Sequence, residues 1–255
     1  VKTIAKSYRF DSPLGIFADV DGDGGPELIA CTKNGSVVAV GPEPTEKPIW
    51  VYERRNASCV SHSLAAGNFL LRRSPGIAVD FRRKASGLIE TVLLDGATGK
   101  LERVVLSSSS SFAAGPISLR LNGPSQDRLI KWVITPNGKV KLMAIGYPWN
   151  ADGSTTIFES EYVKRNRFMT DGNEVARLSV FNHRYSGSLF VEESGKSASS
   201  AVLLFATNDE DANIVVHKVR LSCLCDSAKG QNQCSAFSTD QNWPSYRGRR
   251  GDGYF

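Results

Sequence analysis

Helical periodicity is almost absent from this sequence, and the absence points to an all-β chain. No run of about 11 residues carries apolar side chains at positions i, i+3, i+4 and i+7 without a glycine, proline or serine breaking it. No stretch approaches the roughly 18 uncharged apolar residues that a membrane-spanning helix needs. The chain begins at Val1 without a signal-like apolar segment, so we expect its N-terminus to have been processed or removed.

A strong charge imbalance is also lacking. The 255 residues include 31 basic and 26 acidic side chains, a net charge of +5, and 41% are hydrophobic, which excludes global disorder. The basic residues form short clusters without interleaved aromatic residues for base stacking, so we expect solvated loops and no nucleic-acid partner. These clusters are Arg54-Arg55, Arg72-Arg73, Arg82-Arg83-Lys84, Lys164-Arg165 with Arg167, and Arg247 with Arg249-Arg250.

Signatures of catalysis are scarce as well. The three histidines have no serine or cysteine partner at a recognisable spacing, and no Gly-x-Ser-x-Gly turn is present. Carboxylates cluster at Glu192-Glu193 and in residues 209–211, where solvated turns are a simpler explanation than a glycosidase pair. We therefore expect no catalytic residues.

What the sequence does contain is a repeated pattern of β-rich run, turn and β-rich run. In the first copy, residues 27–32 and 37–40 flank Asn34-Gly35, a pair typical of hairpins because a type I′ turn needs positive φ at both central residues. The pattern returns three times, and a further strand-like segment precedes each hairpin. The three later hairpins span residues 88–106, 129–145 and 201–221, and the preceding segments are 15–19, 76–80, 115–119 and 176–180.

Repeats of this kind favour a β-propeller, whose blades are four-stranded and about 40–50 residues long. An antiparallel β-sandwich is the alternative, since it also places turns about every 8–12 residues. The predicted fold is therefore all-β, with four-stranded propeller blades over residues 1–222. Only four units are clear, which predicts a partial ring, or a fragment of a larger propeller that other chains complete.

The five cysteines indicate disulfides rather than a zinc site. Cys223, Cys225 and Cys234 lie close in sequence, but no second cysteine or histidine pair accompanies them. We expect one bridge between Cys31 and Cys59, and one from Cys234 to either Cys223 or Cys225, which leaves one odd thiol.

Two Asn-x-Ser sequons begin at Asn34 and Asn56 and are expected to accept N-linked glycans. Together with the expected disulfides they indicate the secretory-pathway lumen, the extracellular space or a cell-surface ectodomain.

Residues 19–27, hereafter the acidic loop, contain the densest group of candidate metal ligands. Their sequence, Asp-Val-Asp-Gly-Asp-Gly-Gly-Pro-Glu, places three aspartates at alternate positions, and its glycines allow the loop to curl around one hard cation. Oxygen donors at this charge density suit Ca²⁺ rather than Zn²⁺. The glutamate that ends an EF-hand loop is missing, so the loop joins two strands. A metal-free Asp-Gly-rich turn is the alternative. The expected donors are the side chains of Asp19, Asp21, Asp23 and Glu27 and the backbone carbonyl of Gly25.

Followed by Leu28 and Ile29, this loop resembles the calcium loop of FG-GAP repeats, which build integrin-α-type propellers. The resemblance implies the same four side-chain ligands, with Gly25 as the carbonyl donor. Residues 80–84 of the second repeat keep Asp80 but lack the later carboxylates, so a second calcium loop is not expected there.

A second resemblance is to quinoprotein-like (PQQ-type) propeller blades, which carry an Asp-x-x-Thr-Gly-Lys turn and a docking tryptophan. Residues 95–100 match the turn, and residues 45–50 match the tryptophan end of the motif. Residues 243–248 resemble the segment that leads into such propellers, so residues 223–255 are expected to form a cysteine-containing segment leading into a further blade. The four tryptophans are expected to be packing anchors between blades.

The resemblances imply a non-catalytic, calcium-binding propeller that serves as a protein–protein interaction or adhesion module. A quinoprotein dehydrogenase is disfavoured, because Leu224 separates Cys223 from Cys225 where that family has a vicinal pair. The alternatives are a structural subunit of a larger multi-chain assembly, and a carbohydrate-binding or polysaccharide-lyase-type propeller with a glycan partner. Residues 250–252 spell Arg-Gly-Asp, an integrin-recognition tripeptide that we expect to be coincidental here.

Overall fold

The computed structural model describes most of the first half of the chain and parts of the second. The described residues are 10–42, 47–70, 74–108, 116–120, 126–134, 140–149, 154–160, 190–192, 202–208 and 214–220. They contain strands and turns but no helix, which confirms the prediction of an all-β chain. The chain divides into two compact units, one within Val1–Ser109 and one within Ser110–Gln241.

The first unit contains two four-stranded antiparallel sheets, each with its strands paired in chain order. Sheet 1 consists of β1 (Phe10–Ala18), β2 (Glu27–Thr32), β3 (Val37–Val40) and β4 (Trp50–Tyr52). Sheet 2 consists of β5 (Ala57–Gly67), β6 (Gly76–Arg83), β7 (Ile89–Asp95) and β8 (Leu101–Ser108). Because consecutive strands are antiparallel, their connections alternate between the two ends of each sheet.

The hairpin between β2 and β3 is confirmed, but the prediction of a type I′ turn is wrong. Gly35 has a φ of 85°, whereas Asn34 is not among the residues with positive φ. The Gly35 N–H donates to the Thr32 carbonyl and the Thr32 N–H donates to the Ser36 carbonyl, both at 2.9 Å. The connection is therefore a three-residue loop in which glycine alone supplies the left-handed conformation.

The core of the first unit contains residues from β1 to β7, and the interior strands of the two sheets are buried along most of their length. The side chains of β3 are all buried, as are those of β6 up to Phe81, whereas residues 101–104 of the outer strand β8 are exposed. Ile29 and Val37 from sheet 1 join Val79 and Val92 from sheet 2 in one buried cluster. Such β-branched side chains suit a pleated surface that is covered on both faces.

Two buried contacts join the sheets covalently and by hydrogen bonding. A disulfide links Cys31 on β2 to Cys59 on β5, as predicted. The Trp50 indole N–H donates to the Gly96 carbonyl in the β7–β8 turn at 2.6 Å. A Cβ at Gly99, which has a φ of 67°, would lie 2.6 Å from the indole ring. Trp50 is thus a packing anchor between sheets, as predicted.

An ion-pair network joins the same two sheets at the end opposite the Trp50–Gly96 contact. Arg54, in the connection between β4 and β5, donates through Nη2 and Nε to Oε2 of Glu90 on β7, at 2.6 and 2.7 Å. Arg83 Nη2 lies 2.9 Å from the other oxygen, Oε1. Burial alone would raise the pKa of Glu90, but the hydrogen bonds and charges of Arg83 and Arg54 outweigh burial and lower this pKa.

The second unit contains two further antiparallel sheets with strands in chain order. Sheet 3 consists of β9 (Ile117–Arg120), β10 (Asp127–Ile134), β11 (Val140–Ile145) and β12 (Ser154–Ser160). Sheet 4 consists of β13 (Phe190–Glu192), β14 (Val202–Asn208) and β15 (Ile214–Arg220). The predicted hairpins in residues 88–106, 129–145 and 201–221 correspond to the pairs β7–β8, β10–β11 and β14–β15.

Several predictions fall on residues outside the described ranges. These are the strand-like segment 176–180, the domain boundary after residue 222, the Arg-Gly-Asp tripeptide at 250–252, and the bridge from Cys234 to Cys223 or Cys225. Within the described ranges, no helix is long and apolar enough to cross a membrane.

The Glu90 network predicts a defined loss of stability in acid. The lowered folded pKa means that the ionised carboxylate stabilises the fold above the ordinary pKa of 4.5, and that this contribution is lost as pH falls through the folded pKa. Glu90→Gln should lower the free energy of unfolding at pH 7 by about 1–3 kcal/mol. In urea titrations, the difference between wild type and Glu90→Gln should shrink below pH 4.5, while the exposed control Glu53→Gln should change stability little. A difference that does not depend on pH would contradict this account.

Close packing at Gly96 predicts a large effect from one methyl group. A Cβ at Gly96 would overlap the Pro75 carbonyl oxygen, whereas a Cβ at Gly41 meets only the Ile49 Cδ1 atom, at 3.9 Å. Gly96→Ala should lower the free energy of unfolding by about 1–3 kcal/mol, because overpacking forces the backbone to move. Gly41→Ala is the matched control and should be nearly neutral. Equal stability of the two variants would contradict the packing described here.

Candidate metal centre

The acidic loop connects β1 to β2 and owes its shape to glycine and to hydrogen bonds from its aspartates. Gly22 and Gly24 have φ values of 83° and 89°, which L side chains rarely adopt. The Gly22 and Gly24 N–H groups donate to Oδ1 and Oδ2 of Asp19, at 2.7 and 3.1 Å. The Asp23 N–H donates to Asp21 Oδ1 at 3.1 Å. These bonds fold the loop back upon its first carboxylate.

Glu27 closes the loop from the first position of β2, with only 1% of its surface exposed. Its Oε2 accepts the Val20 N–H at 2.7 Å, while its Oε1 is buried and has no hydrogen-bond partner among the described residues. Leaving a buried polar atom unsatisfied costs about 1–3 kcal/mol, and more when the group is charged. The pKa of Glu27 is raised, mainly because the carboxyl group is buried. The hydrogen bond from Val20 opposes this shift, and the negative charges of the three aspartates in the loop add to it.

Three of the predicted ligands converge. One carboxylate oxygen from each of Asp19, Asp21 and Glu27 lies within 4.8 Å of the other two. Asp23 is not in this group, and its Oδ1 accepts the Gly25 N–H at 2.6 Å. Asp19 is half-buried and Asp21 is exposed, so the group has a buried side at Glu27 and an open side toward solvent.

The donor set fits a hard divalent cation. Ca²⁺ takes six to eight oxygen ligands, from carboxylates, carbonyls and water. Glu27 Oε1 would supply one ligand from the buried side, Asp19 and Asp21 would supply others, and water has access from the exposed side. A bound cation would also give the unsatisfied oxygen a partner and offset the repulsion among four carboxylates in nine residues.

Sheet 2 has a loop in the same position, but without carboxylates. The loop between β5 and β6 begins with Asn68 and Phe69, where the acidic loop begins with Asp19 and Val20, and both Phe69 and Val20 are fully buried. The whole loop, residues 68–75, contains no aspartate or glutamate. The sequence comparison of the acidic loop with residues 80–84 was therefore out of register, because the equivalent position in sheet 2 is the β5–β6 loop.

Asp80 itself has a structural role within sheet 2. It is buried on β6, and the hydroxyls of Ser63 and Thr91 donate to its two carboxylate oxygens at 2.6 Å each. A carboxylate that accepts two such hydrogen bonds is a satisfied polar group of the sheet.

The other predicted sites lie away from the acidic loop. Asn34 and Asn56 are both exposed, on the β2–β3 turn and in the β4–β5 connection. Sequence reasoning missed the contribution of Val20, whose N–H holds Glu27 and whose side chain packs close to Gly96. The sequence did contain a signal for this role. Val20 lies between two aspartates and is the one large apolar residue among residues 19–25, so its burial could have been expected.

Comparison with known proteins gives no functional assignment. No protein-family model matches the chain, and no curated protein is detectably similar to it. The geometry of the acidic loop is therefore the basis for the proposal below.

The two oxygens of Glu27 predict opposite effects for two substitutions. Without calcium at pH 7, Glu27→Gln keeps an acceptor for the Val20 N–H and removes a charge that burial disfavours, so stability should be unchanged or increased. Glu27→Ala removes the acceptor as well and should lower the free energy of unfolding by about 1–3 kcal/mol. Urea titrations in EDTA measure both. Equal destabilisation by the two substitutions would show that the ionised carboxylate already has a stabilising partner in the free protein.

Proposed function

We propose that this chain forms a calcium-stabilised β-propeller, or a substantial part of one, that acts as a non-catalytic protein-interaction module of the secretory pathway or cell surface. The calcium proposal is carried by the buried Glu27 Oε1, which has no hydrogen-bond partner among the described residues, together with the convergence of one carboxylate oxygen each from Glu27, Asp19 and Asp21. A hard cation is the partner that this oxygen lacks, and oxygen donors favour Ca²⁺ over Zn²⁺.

The succession of sheets supports the propeller. Four sheets follow one another along the chain, and each has its strands in meander order, as propeller blades do. Sheets 1 and 2 each have a loop between their first two strands at the same end, beginning at residue 19 in sheet 1 and at residue 68 in sheet 2. Trp50 of sheet 1 also contacts the β7–β8 turn of sheet 2. A repeated unit that packs against its neighbour is the pattern of a repeat architecture.

The proposed compartment and role rest on separate observations. The disulfide between Cys31 and Cys59 is buried and joins two sheets, as expected for a structural bridge formed in an oxidising compartment. A binding role is favoured because the connections at the sheet ends carry most of the exposed charge of the first unit, and loops on a rigid scaffold are common recognition surfaces.

Calcium should therefore stabilise the chain by mass action. At a calcium concentration about 100-fold above Kd, the melting temperature of the wild-type protein should exceed its value in EDTA by about 5–10 °C. Asp21→Asn should abolish most of this difference while leaving the melting temperature in EDTA unchanged or higher, because Asp21 is exposed and adds negative charge near Glu27.

Two controls make the thermal melts specific. Glu53→Gln neutralises an exposed carboxylate outside the acidic loop and should keep the full response to calcium. Magnesium at the same concentration should stabilise less, since it prefers a strict octahedral geometry and retains its waters. An identical melting temperature in calcium and in EDTA would contradict the proposal and leave the loop as an acidic turn.

A further inference from the structure

Three basic segments that are separate in the sequence meet at one end of the first unit. The β2–β3 turn, the β4–β5 connection and the β6–β7 turn all lie at the end opposite the acidic loop, because connections in a meander alternate between ends. We call residues 33–36, 53–56 and 82–90 the basic end.

Direct contacts show that these segments form one surface. The Cys59 N–H donates to the Gly35 carbonyl at 2.8 Å, which ties the first turn to the start of β5. The Lys84 N–H donates to the Asn56 carbonyl at 2.9 Å, and Arg83 Nη1 donates to the Arg55 carbonyl at 3.3 Å. These two bonds hold the β4–β5 connection against the β6–β7 turn.

The basic end has a strong positive excess. Its three segments contain six basic residues and two acidic ones, an excess of four positive charges. Glu90 is engaged by Arg54 and Arg83, so it is already neutralised. The exposed cations are Lys33, Arg55, Arg82 and Lys84.

The acidic loop does not cancel this charge. The eight residues of β6 span about 25 Å between the two ends, at about 3.3 Å per residue. The Debye length at physiological ionic strength is about 8 Å, so charges this far apart across solvent are largely screened from each other. The basic end therefore presents a positive potential to an approaching partner.

The basic end also contains an exposed apolar side chain, Leu88. Leu88 is 40% exposed, and its carbonyl accepts the Arg83 N–H at 2.8 Å, which places it at the base of the same turn. Exposed cations around an apolar side chain match an acidic peptide that also carries an apolar residue, since charge steers the encounter and the apolar contact slows dissociation.

We propose that the basic end docks an acidic segment of a partner protein, with Leu88 contacting an apolar residue of that segment. The proposal rests on the proposed role as a protein-interaction module, and it is independent of calcium because the two surfaces lie at opposite ends of the sheets. A partner peptide is favoured over single-stranded nucleic acid because the three segments contain no aromatic residue on which bases could stack.

Fluorescence polarisation with the full chain tests the proposal. The probe is a short fluorescein-labelled peptide of aspartate and glutamate with one central leucine. Arg55→Glu combined with Lys84→Glu should weaken its binding by about tenfold or more at low salt, because two attractions become repulsions. Both side chains are exposed, so the fold should be retained, as an unchanged melting temperature would verify. Lys100→Glu, an exposed charge reversal at the other end of sheet 2, is the matched control and should leave binding unchanged.

A second comparison isolates the apolar contact. Leu88→Ser, or a peptide with its leucine replaced by serine, should weaken binding about threefold or more, with no further loss when both changes are combined. Calcium and EDTA should give the same affinity, so failure here is distinguishable from failure of the calcium proposal.

Several results would overturn the proposal. Equal binding of the leucine and serine peptides would show that the basic end attracts polyanions in general and that Leu88 makes no specific contact. Tighter binding of single-stranded DNA, a sulfated polysaccharide or phosphatidylserine vesicles than of the peptide would assign the basic end to another class of partner. The sequons at Asn34 and Asn56 both lie in the basic end, so the proposal takes these two sites to be unoccupied, against the expectation from the sequence. An N-linked glycan at either residue, detected by intact-mass analysis of secreted protein, would cover this surface and contradict the proposal.

Discussion

The carboxylate of Glu27 is the constraint on which the acidic end of the first unit depends. One of its oxygens accepts the Val20 N–H, and the other is buried without a hydrogen-bond partner in the part of the chain that the structure describes. One of the two also lies within 4.8 Å of carboxylate oxygens of Asp19 and Asp21. Val20 is itself fully buried and packs close to Gly96, whose carbonyl accepts the Trp50 indole N–H. The state of one carboxylate is therefore connected, through the Val20 hydrogen bond and the packing of Val20 near Gly96, to the contact between sheets 1 and 2.

The sequence predicted features whose cause is local. Glycine next to a polar residue between apolar runs specified the β2–β3 hairpin, and the spacing of the aspartates identified the acidic loop. The exact turn was not predictable, because the strand register, and not the Asn34-Gly35 pair, determines whether the loop has two or three residues. The pairing of Cys31 with Cys59 was predicted without a geometric reason, and the adjacent sheets provide that reason.

Features that depend on topology could not be read from the sequence. The comparison of Asp80 with the acidic loop failed because β5 was not recognised, which shifted the predicted strands of sheet 2 by one position. Arg54-Arg55 and residues 82–84 appeared as separate solvated clusters, since only the alternation of strand directions brings them to one end. The two ends consequently differ in charge, and for this reason we propose a cation at the acidic end and an acidic partner at the basic end.

The central claim is that Glu27 completes a calcium site from its buried side, and a crystal structure of the full chain grown with calcium tests it most directly. The account predicts an ion with Glu27 Oε1, Asp19 and Asp21 as ligands at about 2.3–2.6 Å, the distance typical of calcium–oxygen bonds. A structure without an ion, in which Glu27 Oε1 bonds to a protein donor or an ordered water instead, would contradict the claim.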